Sequence, residues 1–492
     1  MLFQSPAFFA LFMTTFVVYQ ALVGRPRPQK WVLLIASVIF YYAWEARNSD
    51  VLVAWTLPPL GALSRILPLQ LPLPVYLGMF FVLTWINYAG ARIIAAETRD
   101  GVRRMVLAAV VCLSFMPLLW FKYAGFIARN LVRVLPVIPV QAFVPAPAYL
   151  ERLLLPLGIS FFTFQLVGYT IDVYRDRRLV STSVLDVSVF SMLFAHLVAG
   201  PIMRADDLLR QVEALPDVDA RHIDEGHYFL SRGLVKKVAL AEVFGLVVDP
   251  VYADLSAHSW TMLGVATAAY GFQIYFDFSG YSDMAIGLGK YFGFDLRQNF
   301  RLPYLARSPA DFWSRWHITL TSWFRDHVFE PLGGYRSAAF GSIAAIVLTF
   351  TASGLWHGAR WTFVVWGVYH GVLVACSRSR ALRGACARIP SAAQILLTFG
   401  LVTIGWVLFR IQSIRELGHL AQVRLLPAER IDARQALVLV IAAYALHVLE
   451  GALGPDRVLR ANRAVQYAAF AVCLLVCVMM YVKSTSFIYF QF

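Results

Sequence analysis

Three stretches of this 492-residue chain set ionisable side chains among aromatic and apolar ones. In Thr349 to Gly371, TFTASGLWHGARWTFVVWGVYHG, His357 stands between Trp356 and Gly358, and His370 follows in the next apolar run. Imidazole titrates near pH 6.5 and can take a proton from a hydroxyl, the commonest demand on a general base. Gly358 suggests room beside that ring for a substrate. In Phe312 to Gly334, FWSRWHITLTSWFRDHVFEPLGG, His317 and His327 are interleaved with Arg315, Arg325, Asp326 and Glu330, and Asp311 precedes them. In Gln273 to Gly293, QIYFDFSGYSDMAIGLGKYFG, Asp277 and Asp283 keep company with Ser279, Ser282 and four glycines. Carboxylates at membrane depth are costly, and these allow two readings. Either the glycines let a bent helix pack closely with arginine or backbone partners for the acids, or the stretch lines a polar pathway for a substrate. No HExxH, CxxC or Cys/His cluster points to a metal or to redox work, and the five cysteines read as packing residues.

The elements that must position these groups are membrane helices. Hydrophobic residues make up 59% of the chain and charged ones 15%, with a mean hydropathy of +0.63. That composition excludes a soluble enzyme or a nucleic-acid binder, and several runs approach the roughly 20 apolar residues that cross a bilayer. The excess of 43 basic over 29 acidic residues, a net charge of +14, reports topology, because Lys and Arg gather on cytoplasmic loops. The first run, Pro6 to Val23, has its positive charge after it, at Arg25, Arg27 and Lys30, so it reads as an uncleaved span with the N-terminus outside.

Alternating inward and outward from there predicts spans over Trp31–Trp44, Val75–Ala95, Met105–Phe121, Leu153–Val173, Tyr228–Pro250 and Trp260–Phe276. Five more follow over Ser337–Leu355, Trp361–Cys376, Ile395–Phe409, Ala436–Leu449 and Ala464–Val482. Val51–Pro74 carries five prolines and is read as not crossing. Val187–Met203 reads as re-entrant, Arg204–Lys237 as a cytoplasmic loop with short surface helices, and Gly280–Phe294 as too broken by glycine to span. Trp313, Trp316, Leu320 and Phe324 fall on one stripe, as on an interfacial helix. The expectation is an all-α polytopic membrane protein with about twelve transmembrane helices plus re-entrant and interfacial pieces, both termini periplasmic. One integral domain over 1–492 is expected, with a core about 153–410 and a tail at 483–492.

WHIT at 316–319, GLWHGA at 354–359 and FDFSGYSDMAIGLG at 276–289 together resemble the membrane-bound O-acyltransferase family. PLGISFFTFQ at 156–165, HLVAGPI at 196–202, GLVKK at 233–237 and FIYFQF at 487–492 are similar to its alginate O-acetylase branch. The resemblance implies helices around a transmembrane tunnel, no metal and no bound prosthetic group. It maps the family's characteristic histidine onto His357 and its second histidine onto His317. Trp316, Trp356, Arg315, Asp277, Ser279 and Asp283 are then the expected substrate-binding residues.

The implied reaction takes an acyl group, most simply from acetyl-CoA, at the inner side of the bacterial inner membrane. Arg297, Arg301, Arg307, Arg315 and Arg325 would meet the donor's phosphates, or serve only as positive-inside anchors. His357 would remove the acceptor's proton while His317 orients the acyl group or stabilises developing charge. The expected acceptor is an exopolysaccharide, alginate first. Expected partners are an esterase-like periplasmic or membrane-anchored acetyltransferase subunit, the polysaccharide synthesis complex and membrane lipid. The apolar tail Phe487–Phe492 should fold back into a groove, either as an anchor or with Tyr489 as first acyl acceptor. Transfer of D-alanyl from a carrier is the alternative within the family. A glycan transporter is the alternative outside it, and would predict broken helices in two matching halves.

Overall fold

The structure is a computed structural model that describes residues 3, 5–47, 75–134, 155–336, 338–416 and 433–459, together with 463, 467–468, 470–473 and 475. Val51–Pro74 and Tyr489, with the rest of the tail, lie outside the described residues, as does much of Ala464–Val482. Among the described residues all regular structure is helical. Among the described residues four helices are long and apolar enough to cross a membrane: Val75–Ala96, Asp100–Arg133, Ser391–Arg410 and Ala433–Ala452. Pro6–Ala21, Gly341–His357 and Trp361–Ser377 are apolar but shorter. The chain is a multi-pass membrane protein.

Contacts divide it into two compact units, residues 1–219 with 289–296, and residues 220–288 with 297–492. In the first, α1 (Pro6–Ala21) starts on a proline and a Ser5 side chain that accepts the Phe8 N–H at 3.2 Å. It is followed by α2 (Pro26–Arg47), α3 (Val75–Ala96), α4 (Asp100–Leu118), α5 (Ile159–Arg175) and α6 (Val184–Met192). Polar side chains stitch these apolar helices together, each satisfied as lipid-depth groups must be. Asn87 of α3 donates to Ser114 of α4 at 2.8 Å and accepts from Thr170 of α5 at 2.7 Å. Glu45 of α2 accepts the Tyr76 N–H at the start of α3 at 2.8 Å, and Lys30 pairs with Asp186 of α6 at 2.8 Å.

The second unit carries the histidine motifs. The predicted loop Arg204–Lys237 gives way at Ala220 to a helix, α7 (Ala220–Leu234), which continues through a π-helical turn (Val235–Ala241) into Glu242–Ala253. Facing it is α8, a single 31-residue helix from Trp260 to Lys290. This corrects the expectation that glycine breaks the chain after Gly280. The glycines permit close approach instead. A Cβ on Gly233 would lie 2.5 Å from the Gly280 carbonyl oxygen, and one on Gly287 would lie 2.7 Å from the Leu230 nitrogen. With 233 opposite 280 and 230 opposite 287, the two helices run antiparallel at near backbone contact.

The predicted interfacial helix is also corrected. It is two short helices, α9 (Pro309–Trp313) and α10 (Ile318–Phe324), separated by a turn that ends at His317. His317 has φ +43, in the left-handed region, so no continuous helix can pass through it. The stripe Trp313, Trp316, Leu320, Phe324 is nonetheless buried throughout. Then come α11 (Ala339–His357), α12 (Trp361–Ser377), α13 (Ser391–Arg410) and α14 (Ala433–Leu459). Helices α11 and α12 form an antiparallel hairpin that meets through Gly354, Gly367 and Gly371.

Candidate functional site

His357 is the last residue of α11 and is 5% exposed. Rings enclose its imidazole. The centroid of Trp356 is 5.0 Å away, those of Trp366 and Phe409 are each 5.2 Å away, and Phe363 lies at 6.5 Å. Phe363 fills the side on which Gly358 promised room: a Cβ on Gly358 would fall 2.2 Å from the Phe363 ring. The glycine is there for an aromatic neighbour, and that part of the expectation is corrected.

His317 is 1% exposed and packs its ring edge-on to Phe278 of α8, centroids 4.6 Å apart, and against Trp356 at 5.8 Å. Trp356 thus touches both histidines, and α8, α10 and α11 bring together residues that lie up to 79 positions apart, as from Phe278 to His357. Burial pushes the His317 imidazole down to about 3, so it is neutral at physiological pH. Behind it, Trp316 sits in a wall of rings made by Trp406 at 4.9 Å, Phe300 at 5.0 Å and Phe312 at 5.5 Å. His370 belongs to the same aromatic body, accepting from Trp313 Nε1 at 3.4 Å.

The carboxylates of α8 are held by cations of α7 and of the π-helical turn that follows it. Lys237 pairs with Asp277. Arg232 donates from Nε to Asp283 at 2.8 Å and Lys236 from Nζ at 3.1 Å. Lys236 also reaches Glu450 of α14 at 2.6 Å, and Tyr275 donates to the same carboxylate at 3.1 Å. Ser279, between the two acids, is buried and its hydroxyl has no hydrogen-bond partner among the described residues; the same is true of Trp366 Nε1 beside His357.

Arg315 is held by Asp311 at 2.7 Å. A cavity of about 200 Å³ opens near it, lined by Arg325 and Arg378 among others and by Trp313, Phe350 and Ser353 within. Ser353 is one helical turn before His357 on α11. Among the described residues no three His, Cys, Asp or Glu side chains group closely enough to hold a metal ion.

The sequence reading missed the partners Arg232, Lys236, Lys237 and Glu450. The available signal was the run of cations Arg232, Lys236 and Lys237, which fall on neighbouring turns of one helix as Asp277 and Asp283 do on another. It also missed Trp366, Phe409 and Asn299, which no spacing marks out.

A profile of MBOAT, the membrane-bound O-acyltransferase family, matches residues 158–414, which hold both histidines. The chain belongs to that family, and it is an O-acyltransferase. It is 36% identical over 421 residues to a protein of Pseudomonas aeruginosa named "Probable alginate O-acetylase AlgI", covering 84% of this chain and 73% of that one. To the "Peptidoglycan O-acetyltransferase" of Helicobacter pylori it is 29% identical over 448 residues, 84% and 78% of the two chains. The "Teichoic acid D-alanyltransferase" of Streptococcus thermophilus matches at 27% identity over 329 residues, covering 61% of this chain and 78% of the other.

Proposed function

We propose that this O-acyltransferase moves an acetyl group from cytoplasmic acetyl-CoA, across the bacterial inner membrane, to an exopolysaccharide, with alginate the leading acceptor. The observation that carries the reading is that His357 and His317 both pack against the one indole ring of Trp356. The donor's phosphates meet Arg325 and Arg378 at the cavity mouth, with Arg315 nearby, and its thioester reaches past Trp313 and Ser353 towards His357. The acceptor hydroxyl comes from the outer side. His357 takes its proton as the oxygen attacks the thioester carbonyl; the carbon–sulfur bond breaks, and the proton passes to the departing thiolate. Neutral His317 orients the acyl group, and its ring N–H donates to the developing oxyanion. Trp316 and Trp356 wall the reacting groups from water, and Ser279 offers its hydroxyl to the substrate. Asp277 and Asp283 act through their ion pairs, which hold α8 in place.

About twelve helices enclose the tunnel in which this happens, with both termini periplasmic. Tyr489 of the tail is the first acceptor. Its phenol oxygen takes the acyl group and, as a good leaving group, passes it to an esterase-like partner of the polysaccharide synthesis complex. The match to named O-acetyltransferases over 84% of the chain, against 61% for the D-alanyltransferase, favours acetyl as the cargo.

Proteoliposomes loaded with acetyl-CoA test the reading: the protein should release free thiol and acetylate added polymer only in the partner's presence. Movement of glycan without loss of the acyl group would identify a transporter instead. Tyr489→Phe should release no acetyl to polymer while the protein remains folded; normal polymer acetylation by that variant would reduce the tail to an anchor.

A further inference from the structure

We infer that Asn299 is a positioning residue for His317, doing for α10 what the histidine at its N-cap does not do. The inference rests on the reading of His317 as a residue that acts on the acyl group. A residue at the N-cap normally accepts, through its own side chain, a hydrogen bond from a backbone N–H in the first helical turn. His317 occupies that position on α10 and its side chain makes no such bond. Asn299 supplies the acceptors from a separate segment. Its backbone carbonyl accepts the Ile318 N–H at 2.9 Å. Its side-chain Oδ1 accepts the Thr319 N–H at 3.3 Å and the Thr319 hydroxyl at 2.6 Å. The imidazole is thereby released from capping and turned to Phe278 and Trp356.

Three further features fit this part. His317 has φ +43, a conformation that a non-glycine residue keeps only where its surroundings hold it. The two residues that follow it are the ones Asn299 holds, and the Arg301 N–H donates to the Arg315 carbonyl at 2.9 Å, so the segment from 299 to 301 brackets the turn on both sides. The Asn299 amide also donates to Ser282 at 3.3 Å. Ser282 lies one turn along α8 from Phe278, the ring that His317 packs against. Asn299, 1% exposed, therefore ties the loop that carries the histidine to the helix that forms the wall beside it.

The test uses the full chain in proteoliposomes with the esterase-like partner and alginate present, so that thiol release from acetyl-CoA turns over. Misplacing an acting group by about 1 Å costs about 10²-fold in rate, so Asn299→Ala should lower kcat by about that factor. KM for the donor should stay within about twofold, because donor binding is untouched. Thr319→Val should lower kcat in the same direction, and Thr319→Ser, which keeps the hydroxyl, should restore it. The Asn299→Ala/His317→Ala pair should be no slower than His317→Ala, since Asn299 acts only through the histidine.

Parental turnover in Asn299→Ala, or the same fold loss in the His317→Ala background, would overturn the inference. If Asn299→Ala yields no folded protein, Thr319→Val decides: parental turnover there overturns it equally. Full activity of His317→Ala would instead remove the reading of His317 itself, and this inference with it.

Discussion

The second unit handles polar groups within its apolar body in two different ways, and the boundary runs along α8. On the face towards α7 and α14 the groups are ions, and each carboxylate has a cation on it: Asp277 with Lys237, Asp283 with Arg232 and Lys236, Glu450 with Lys236. One position on from Asp277, Phe278 begins the other region, where His317 and His357 are set among ring faces. The seam neutralises charge with charge and binds three helices; the aromatic nest surrounds two imidazoles with weakly polar surface. A group that must exchange a proton belongs in the second kind of place. A buried ion pair holds its protons fixed, whereas imidazole is the side chain that ordinarily exchanges a proton near neutral pH.

The sharpest way to break this comparison is to empty the nest. His357→Ala should lower acyl transfer by about 10² to 10⁴-fold, with the melting midpoint in detergent little changed. Near-parental transfer would mean that the nest is only packing.

The seam should behave oppositely. Lys237→Met leaves the Asp277 carboxylate buried without its cation, and removing one partner of such a pair costs about 3–5 kcal/mol, so folded yield should collapse. Lys237→Met together with Asp277→Leu should regain most of that yield and retain thiol release. A fully folded double variant that releases no thiol would show that the pair serves chemistry as well as packing.

A smaller effect is expected where the seam's backbones touch. Gly233→Ala puts a methyl 2.5 Å from the Gly280 carbonyl, and overpacking of this kind costs about 1–3 kcal/mol. A lowered melting midpoint at unchanged KM is the expected result, and an unchanged midpoint would place the helices further apart.

The smallest effect sharpens the electrostatic side. The folded value of His317, about 3, lies below the ordinary value near 6.5, so the unfolded chain binds the extra proton. Stability from this group is complete above the ordinary value and is lost as pH falls towards 3. His317→Gln should therefore lose less of its melting midpoint between about pH 7.5 and 5 than the parent does. Equal losses would mean that His317 is not held neutral.

Much of the second unit could be read from the chain because apolar runs and arginine clusters alternate strongly there. Ser337–Leu355 became Ala339–His357, Trp361–Cys376 became Trp361–Ser377, and Ile395–Phe409 became Ser391–Arg410. His357 at the end of a helix followed from that alternation, and its role from the family motif. The break at His317 was not legible. Two short helices that bury the same side repeat the apolar spacing of one long helix, and a histidine carries no compositional mark of a left-handed backbone. Glycine in α8 was ambiguous for a related reason, since the residue that ends helices is also the one that lets two of them touch. Asn299 was invisible because its partners lie 19 and 20 positions away in a turn that no periodicity predicts.

The π-helical turn at Val235–Ala241 bears on how this enzyme tolerates changes of length. It holds Lys236 and Lys237, neighbours in the chain that serve different acids. Such a turn is a helix with one residue too many, accommodated locally. Deleting Val238 would remove that extra residue and let the helix close into ordinary α geometry, with the side chains from Ala239 to Ala253 keeping the faces they present now. The loss of one apolar residue from Glu242–Ala253, where no spare residue is stored, would instead swing every later side chain by about 100° and scramble the inner and outer faces of the helix.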